Sequence, residues 1–267
     1  MPADRRAVES LLAFWAQAGV DACYEAAPVD RTAVGAALLR GGSAKAVRQP
    51  ASPSPSLPAQ AAVDVSEARR LADEAMDLAA LAAAIAGFDG CPLKFAGARQ
   101  AVTWRGPADA PVMAIGEAPG AEEDIAGAPF VGRAGKLLDK MLVAAGLDGR
   151  VLIANTVFWR PPGNRDPTAA EQLACAPFLE RAIALVRPKV LLLVGGAAAK
   201  SVLKQSTGIL SLRGRWFEWR SQDEAVQAPA MPTLHPAFLL RQPQAKKRAW
   251  ADLLTLQDKL EGRNGLG

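Results

Sequence analysis

The pattern of apolar and polar positions changes character near Phe88. Beyond it, short apolar runs alternate with segments that have apolar residues at helical spacing, which predicts strands alternating with helices. The predicted strands are 111–115, 151–155, 189–195 and 230–234, and the predicted helices are 134–145, 168–185, 197–203 and 243–260. Thr168 followed by Glu171 is typical of a helix-capping box. The expected class is α/β, a three-layer α/β/α sandwich around a central, mainly parallel sheet of four strands.

The first third of the chain follows a different pattern. Residues 6–18 have apolar positions at helical spacing, and residues 41–64 are rich in Pro and Ser. We therefore expect a helical N-terminal extension at 1–40, a linker at 41–64 and one helix at 65–87, followed by the α/β domain at 88–262. Nothing in residues 1–87 indicates a specific activity, so they are interpreted as an accessory or partner-docking segment.

Charge is distributed unevenly along the 267 residues, of which 50% are hydrophobic. Residues 1–90 hold 8 Lys and Arg against 11 Asp and Glu, whereas residues 91–267 hold 23 against 16. The second part is therefore basic, which fits a polyanionic partner such as nucleic acid. On charge alone, an ordinary domain with a lysine-rich surface explains the same numbers equally well.

Cysteine usage and hydropathy bear on where the protein works. Its three cysteines are far apart and odd in number, which argues against a disulfide framework and favours a reducing compartment. No apolar run approaches the roughly 18 residues that a membrane span needs. We expect a cytoplasmic monomer without a membrane partner, and the sequence names no protein partner.

Polar residues stand where three of the predicted strands end. Glu117 follows the first strand, Asn155 ends the second, and His235 follows the fourth. Because the carboxyl ends of parallel strands share one edge of a sheet, these side chains should meet there. His235 is the only histidine. A lone histidine is more often structural, but its place at a strand end before a basic segment favours a functional role.

Several long motifs follow one another in the α/β part of the chain. They are Gly116-Glu117-Ala118-Pro119-Gly120 with Glu123-Asp124, residues 127–135 with Pro129-Phe130-Val131-Gly132, Asn155, residues 160–167, and His235-Pro236-Ala237-Phe238-Leu239-Leu240-Arg241. On these motifs the chain from about Phe88 to Leu260 resembles family 4 of the uracil-DNA glycosylase superfamily. The resemblance implies a DNA-repair hydrolase that flips uracil out of DNA and hydrolyses its N-glycosidic bond, leaving an abasic site.

The resemblance implies a role for each residue around the base. Glu117 would orient or activate the attacking water and stabilise the cationic sugar. His235 would donate to uracil O2 as negative charge develops there. Phe130 would stack on the extruded base, and Asn155 would accept from uracil N3–H while donating to O4, a pattern that cytosine does not present.

Two further positions near Glu117 are implied to contact the substrate. Ala118 stands where the best-known branch of the superfamily has a catalytic Asp, so catalysis is expected to depend on Glu117. Glu123 would help to exclude the methyl group of thymine.

The DNA backbone is the other implied partner. Gly120, Arg165 and Arg241 are expected to bind phosphates through a backbone N–H or a guanidinium. Leu240 is expected to act in a wedge that enters the duplex where the base leaves. For Leu239 and Leu240, ordinary packing at the start of a helix is an equally good interpretation.

Family 4 enzymes typically carry a four-cysteine iron–sulfur cluster, and this sequence departs from that pattern. Phe88 and Trp159 stand at two of the four ligand positions, whereas Cys91 and Cys175 remain at the other two. Two thiolates do not satisfy a cluster that takes four. We therefore expect no metal or cofactor, with Cys91 and Cys175 as remnants of the ligand set.

An incomplete ligand set raises a second functional class, a protein that binds uracil or abasic DNA without turnover. The presence of Glu117, Phe130, Asn155 and His235 argues against it. A relative that captures the abasic sugar covalently would need an additional histidine-containing loop, which this chain lacks. A dinucleotide-binding enzyme would need G-x-G-x-x-G after a strand, which the loop after 111–115 does not supply.

Overall fold

The computed structural model describes residues 65–263, so the predictions for residues 1–64 lie outside it. The helices are Val65–Glu74 (α1), Leu78–Gly87 (α2), Ala121–Ala126 (α3), Arg133–Ala144 (α4), Ala169–Val186 (α5), Gly196–Leu203 (α6), Ile209–Leu212 (α7), Pro236–Arg241 (α8) and Lys246–Leu260 (α9). Short 3₁₀ turns occupy Pro92–Phe95, Pro162–Asn164 and Pro243–Ala245. The strands are Trp104–Arg105 (β1), Val112–Gly116 (β2), Val151–Asn155 (β3), Val190–Val194 (β4), Phe217–Arg220 (β5) and Gln227–Thr233 (β6).

The strands of the described range form one sheet in the order β1-β3-β2-β4-β6-β5. Its four central strands are parallel, and the two edge strands pair antiparallel with their neighbours. The predicted α/β class is therefore confirmed, and the four predicted strands are the four parallel ones. Strands β1 and β5 were not predicted, because two and four residues at a sheet edge are too few to produce a clear period.

Alternate residues of each central strand pack on opposite faces of the sheet, as strand geometry requires. In β2, Met113 and Ile115 join a core that also takes buried residues of α1, α2, α5 and α6. Val112 and Ala114 join a second core with Leu138 and other residues of α4 and α9. Helices thus cover both faces, which gives the three predicted layers.

The single helix predicted over 65–87 is wrong, because the structure has α1 and α2 there. The break comes at Asp77, whose carboxylate accepts a hydrogen bond from the N–H of Ala80 at 2.8 Å and so starts a new helix. The Ala75 carbonyl, beyond the end of α1, accepts two hydrogen bonds from Arg181 of α5 at 3.0 and 2.8 Å. Leu81 and Ile85 of α2 are buried in the same core as α5.

Helix α5 begins at the predicted capping box. The Thr168 hydroxyl accepts from the Glu171 N–H at 3.3 Å, and the Glu171 carboxylate accepts from the Thr168 N–H at 2.8 Å.

Among residues 65–263, none of the helices has the length and apolarity needed to cross a lipid bilayer.

Candidate active site

A cavity of about 560 Å³ opens at the carboxyl-terminal edge of the parallel strands. Eight of the ten residues predicted to form the site line this cavity: Glu117, Ala118, Gly120, Glu123, Phe130, Arg165, His235 and Arg241. Of the other two, Asn155 is buried beside it, and Leu240 lines an adjoining groove that shares Gly120, Glu123 and Arg241 with the cavity. The tertiary structure therefore brings the predicted residues together.

Glu117 follows β2 directly, and the neighbouring strand holds its backbone. The Glu117 carbonyl accepts from the Thr156 hydroxyl at 2.7 Å and from the Val157 N–H at 3.3 Å. Its Oε1 atom is buried and has no hydrogen-bond partner among the described residues. Burial raises the pKa of Glu117, and the nearby carboxylate of Asp166 raises it further. Because Glu117 lines the cavity, its carboxyl group is within reach of a molecule bound there.

Asn155 ends β3, opposite Gly116 of β2 in the strand register. The side chain is only 1% exposed, yet neither its Oδ1 nor its Nδ2 has a partner within residues 65–263. Leaving a buried polar group unpaired costs about 1–3 kcal/mol. Such an amide is suited to a ligand that offers one donor and one acceptor side by side.

Phe130 approaches Asn155 across Gly116. A Cβ atom on Gly116 would lie 2.5 Å from Asn155 Oδ1 and 2.5 Å from the Phe130 ring, so only glycine fits between them. The Phe130 ring is 6% exposed, and its centroid lies 5.7 Å from that of the His235 ring. The backbone of Phe130 has a φ of 55°, in the left-handed region that a phenylalanine rarely adopts.

His235 lies at the end of the loop that leaves β6 and caps α8. Its Nδ1 accepts from the Ala237 N–H at 3.1 Å, so in the neutral ring the proton is on Nε2. Burial and, to a smaller extent, the positive charge of Arg241 lower the pKa of His235 to about 4, although Glu123 opposes the shift. Near neutral pH His235 is therefore an uncharged ring whose available donor is Nε2–H.

Glu123 connects two parts of the loop that surrounds the cavity. Its carboxylate accepts from the N–H groups of Gly120 at 3.1 Å, Val131 at 3.0 Å and Gly132 at 2.9 Å. The acid therefore joins the start of α3 to the turn that follows Phe130. The Gly120 N–H that was predicted to bind phosphate donates to Glu123 in this structure. The substrate contacts of Glu123 and Gly120 stay predictions.

The residues predicted to contact DNA lie around the cavity mouth. Arg165 donates two hydrogen bonds to the Glu171 carboxylate at 2.8 and 2.6 Å, which lowers the pKa of Glu171. Leu239 is fully buried, whereas Leu240 is 39% exposed. This difference favours packing as the role of Leu239 and leaves Leu240 as the candidate wedge.

Sequence reasoning missed three residues that shape the site. Asp166 lines the cavity, and the Thr156 hydroxyl donates to the Glu117 carbonyl. Each is the sequence neighbour of a predicted site residue, and this proximity could have indicated both. Arg105 donates to the carbonyls of Pro129 and Phe130 from 24 and 25 residues away. No local pattern in the sequence indicates that contact.

The fold and the site together define an α/β protein whose sheet-edge cavity offers an aromatic ring, a neutral imidazole and a carboxylate, with a buried amide beside it. The family model described as "Uracil DNA glycosylase superfamily" matches residues 103–254, more than half of the chain. The chain belongs to this superfamily.

Curated relatives make the class more specific. The type-4 uracil-DNA glycosylase of Sulfurisphaera tokodaii is 39% identical over 153 residues, which cover 55% of this chain and 69% of the relative. That of Saccharolobus solfataricus is 37% identical over 171 residues, 62% and 78% of the two chains. That of Pyrobaculum aerophilum is 38% identical over 184 residues, 67% and 92%. The resemblance to family 4 and the predicted enzyme class are confirmed.

The prediction that the protein has no cofactor is contradicted by these relatives, because type-4 uracil-DNA glycosylases are iron–sulfur proteins. Within residues 65–263 the structure brings two buried thiols together, Cys91 and Cys175, with sulfur atoms 3.9 Å apart. Phe88 and Trp159 are buried in the same core. Two thiols are half of a four-cysteine set. The described residues do not by themselves fit the cluster.

Proposed function

We propose that this protein excises uracil from DNA by hydrolysing the N-glycosidic bond of a flipped nucleotide. The observation that carries the proposal is Asn155, a buried amide whose two polar atoms have no partner among the described residues and whose Oδ1 lies beside Gly116, as the Phe130 ring does. Uracil presents a donor at N3 and an acceptor at O4, which match the amide oxygen and nitrogen. Cytosine presents the reverse pattern, so it would leave both pairs unsatisfied.

Cleavage leaves negative charge on the departing uracil and positive charge on the deoxyribose. The neutral His235 ring can donate from Nε2 to uracil O2 and stabilise the departing anion without giving up its proton. Glu117 lines the cavity, where its carboxylate can orient the attacking water and stabilise the cationic sugar. With Ala118 beside it, Glu117 is the acid next to β2 that can do both.

Flipping requires the duplex to be opened at the lesion, which costs a few kcal/mol. The half-exposed Leu240 stands beside the cavity mouth, where it can fill the space that the base leaves. Arg241 lines both the cavity and the adjoining groove, a position from which a guanidinium can reach a phosphate. As part of the same proposal, the protein works as a monomer in the cytoplasm on uracil-containing DNA.

The test is cleavage of a labelled single-stranded oligonucleotide with one uracil, followed by alkali to cut the abasic site. Matched oligonucleotides with thymine or cytosine at that position should stay intact. Glu117→Ala and His235→Ala, purified in parallel, should each lose most activity while remaining folded, as thermal melting will show. Their loss of activity also excludes a contaminating host enzyme. Near-normal rates in both variants would disprove the mechanism, and retarded migration without cleavage would favour a binding protein.

A further inference from the structure

The backbone of Phe130 is held in a conformation that this residue would not adopt unaided. Its φ of 55° lies in the left-handed region, which is disfavoured about tenfold for a residue with a Cβ atom. This conformation coincides with the placement of the ring against Gly116 and near His235. Whatever stabilises the backbone of Phe130 therefore also sets the position of its ring.

Two neighbours enclose the Phe130 carbonyl. On one side the backbone of α4 lies so close that a Cβ atom on Gly135 would overlap the carbonyl group. On the other side Arg105 donates from Nε to the Pro129 carbonyl at 2.8 Å and from Nη2 to the Phe130 carbonyl at 3.1 Å. The planar guanidinium thus binds two successive carbonyls, and this geometry is specific to arginine.

Arg105 is itself held in place from two directions. Its backbone lies in β1, opposite Ile153 of β3. Its Nη2 also donates to Asp139 of α4 at 2.6 Å. The guanidinium is therefore fixed between the sheet edge and α4, and its hydrogen bonds are directed at the Phe130 turn.

We infer that Arg105 is a positioning residue that keeps the Phe130 ring in place for stacking on uracil. The inference rests on the proposed function and deepens it, because it names the residue on which base stacking depends. Arg105 does not line the cavity and is not a catalytic residue. Without its two hydrogen bonds, the Phe130 backbone should relax to a common conformation and withdraw the ring.

A different role would be a charge contact with DNA phosphate, since the Arg105 side chain is 31% exposed. The two roles differ in whether lysine can replace Arg105. Lysine keeps the positive charge but cannot bind two carbonyls with a rigid fork. If Arg105 contacted a phosphate, its removal would also weaken the dependence of DNA binding on salt concentration.

The experiment compares single-turnover cleavage of a uracil oligonucleotide by wild type, Arg105→Met, Arg105→Lys, Phe130→Ala and the double variant Arg105→Met with Phe130→Ala. The cleavage rates of both Arg105 variants should be about tenfold lower than that of wild type, because the left-handed backbone of Phe130 is disfavoured by about that factor. The double variant should be no slower than Phe130→Ala, since Arg105 acts through that ring. Arg220→Met, on the opposite edge strand, is the matched control and should keep the wild-type rate. Melting temperatures establish that each variant is folded.

Full activity in Arg105→Lys, a weaker salt dependence in Arg105→Met, or additive losses in the double variant would each overturn the inference. If wild type binds but does not cleave, the proposed function fails and the same five proteins are compared by their affinity for the uracil oligonucleotide. A tenfold weaker affinity in Arg105→Met that disappears in the Phe130→Ala background would still support the inference. Equal affinities of wild type and Arg105→Met would overturn it.

Discussion

Gly116 and Asn155 stand opposite each other at the ends of β2 and β3, and a Cβ atom on Gly116 would lie 2.5 Å from Asn155 Oδ1. The same atom would lie 2.5 Å from the Phe130 ring. The side of the cavity that we propose binds the base is therefore assembled around a glycine that does not itself line the cavity.

Gly116→Ala should reduce uracil excision about 100-fold, because a displacement of about 1 Å in a positioned group has an effect of that order. The new methyl group must push either the amide or the ring out of place. Single-turnover cleavage measures the loss. Gly87→Ala, where an added Cβ meets no atom within 4 Å, is the matched control and should keep the wild-type rate. Wild-type cleavage by Gly116→Ala would contradict the packing described for Asn155 and Phe130.

Asn155→Leu should lower activity about 100-fold while raising the free energy of unfolding by about 1 kcal/mol. The reason is that the buried amide is unpaired, so replacing it by an apolar side chain of similar size removes a desolvation cost. Thr233→Val is the contrasting control. Its hydroxyl donates to buried Asp252 at 2.7 Å, so the change should lower stability instead. Urea denaturation distinguishes the two, and a destabilised Asn155→Leu would mean that the amide has a partner in solution.

Stability should fall as the pH decreases from about 6.5 to about 4. His235 has a pKa of about 4 in the folded protein, below the ordinary 6.5, so the unfolded chain binds more protons in this window. The contribution of His235 is present above pH 6.5 and lost as the pH falls. Between pH 7 and 4.5 wild type should lose about 2 kcal/mol more than His235→Gln, which does not titrate. If urea denaturation shows that wild type and His235→Gln lose the same free energy of unfolding, His235 is not buried as a neutral ring.

Leu240→Ala should slow cleavage of duplex substrate about tenfold and leave single-stranded substrate unaffected, because only the duplex has to be opened. Its melting temperature should hardly change, since the side chain is 39% exposed. Leu254→Ala, which is 41% exposed on α9, is the matched control. An equal loss on both substrates would show that Leu240 acts after the base has left the stack.

The structure brings most of the predicted site residues to one cavity, for a reason that parallel sheets explain. Glu117, Asn155 and His235 each follow or end a parallel strand, and such ends meet at one edge whatever the rest of the fold does. Two errors have different origins. The helix over 65–87 is broken because Asp77 caps a new start, which an alanine-rich pattern conceals. The prediction of no cofactor was based on finding cysteine at only two of the four ligand positions. It is contradicted by the relatives, which are type-4 uracil-DNA glycosylases.

Local sequence patterns sufficed for the four parallel strands, the longer helices between them and the three polar residues at the sheet edge, because apolar runs and strand ends are local properties. The protonation and hydrogen bonding of those residues depend on tertiary packing. Burial keeps His235 neutral, the Ala237 N–H fixes its tautomer, and Arg105 donates to the Phe130 carbonyl from 25 residues away. Burial, charge and hydrogen bonding between distant segments depend on packing, and packing is not periodic in the sequence.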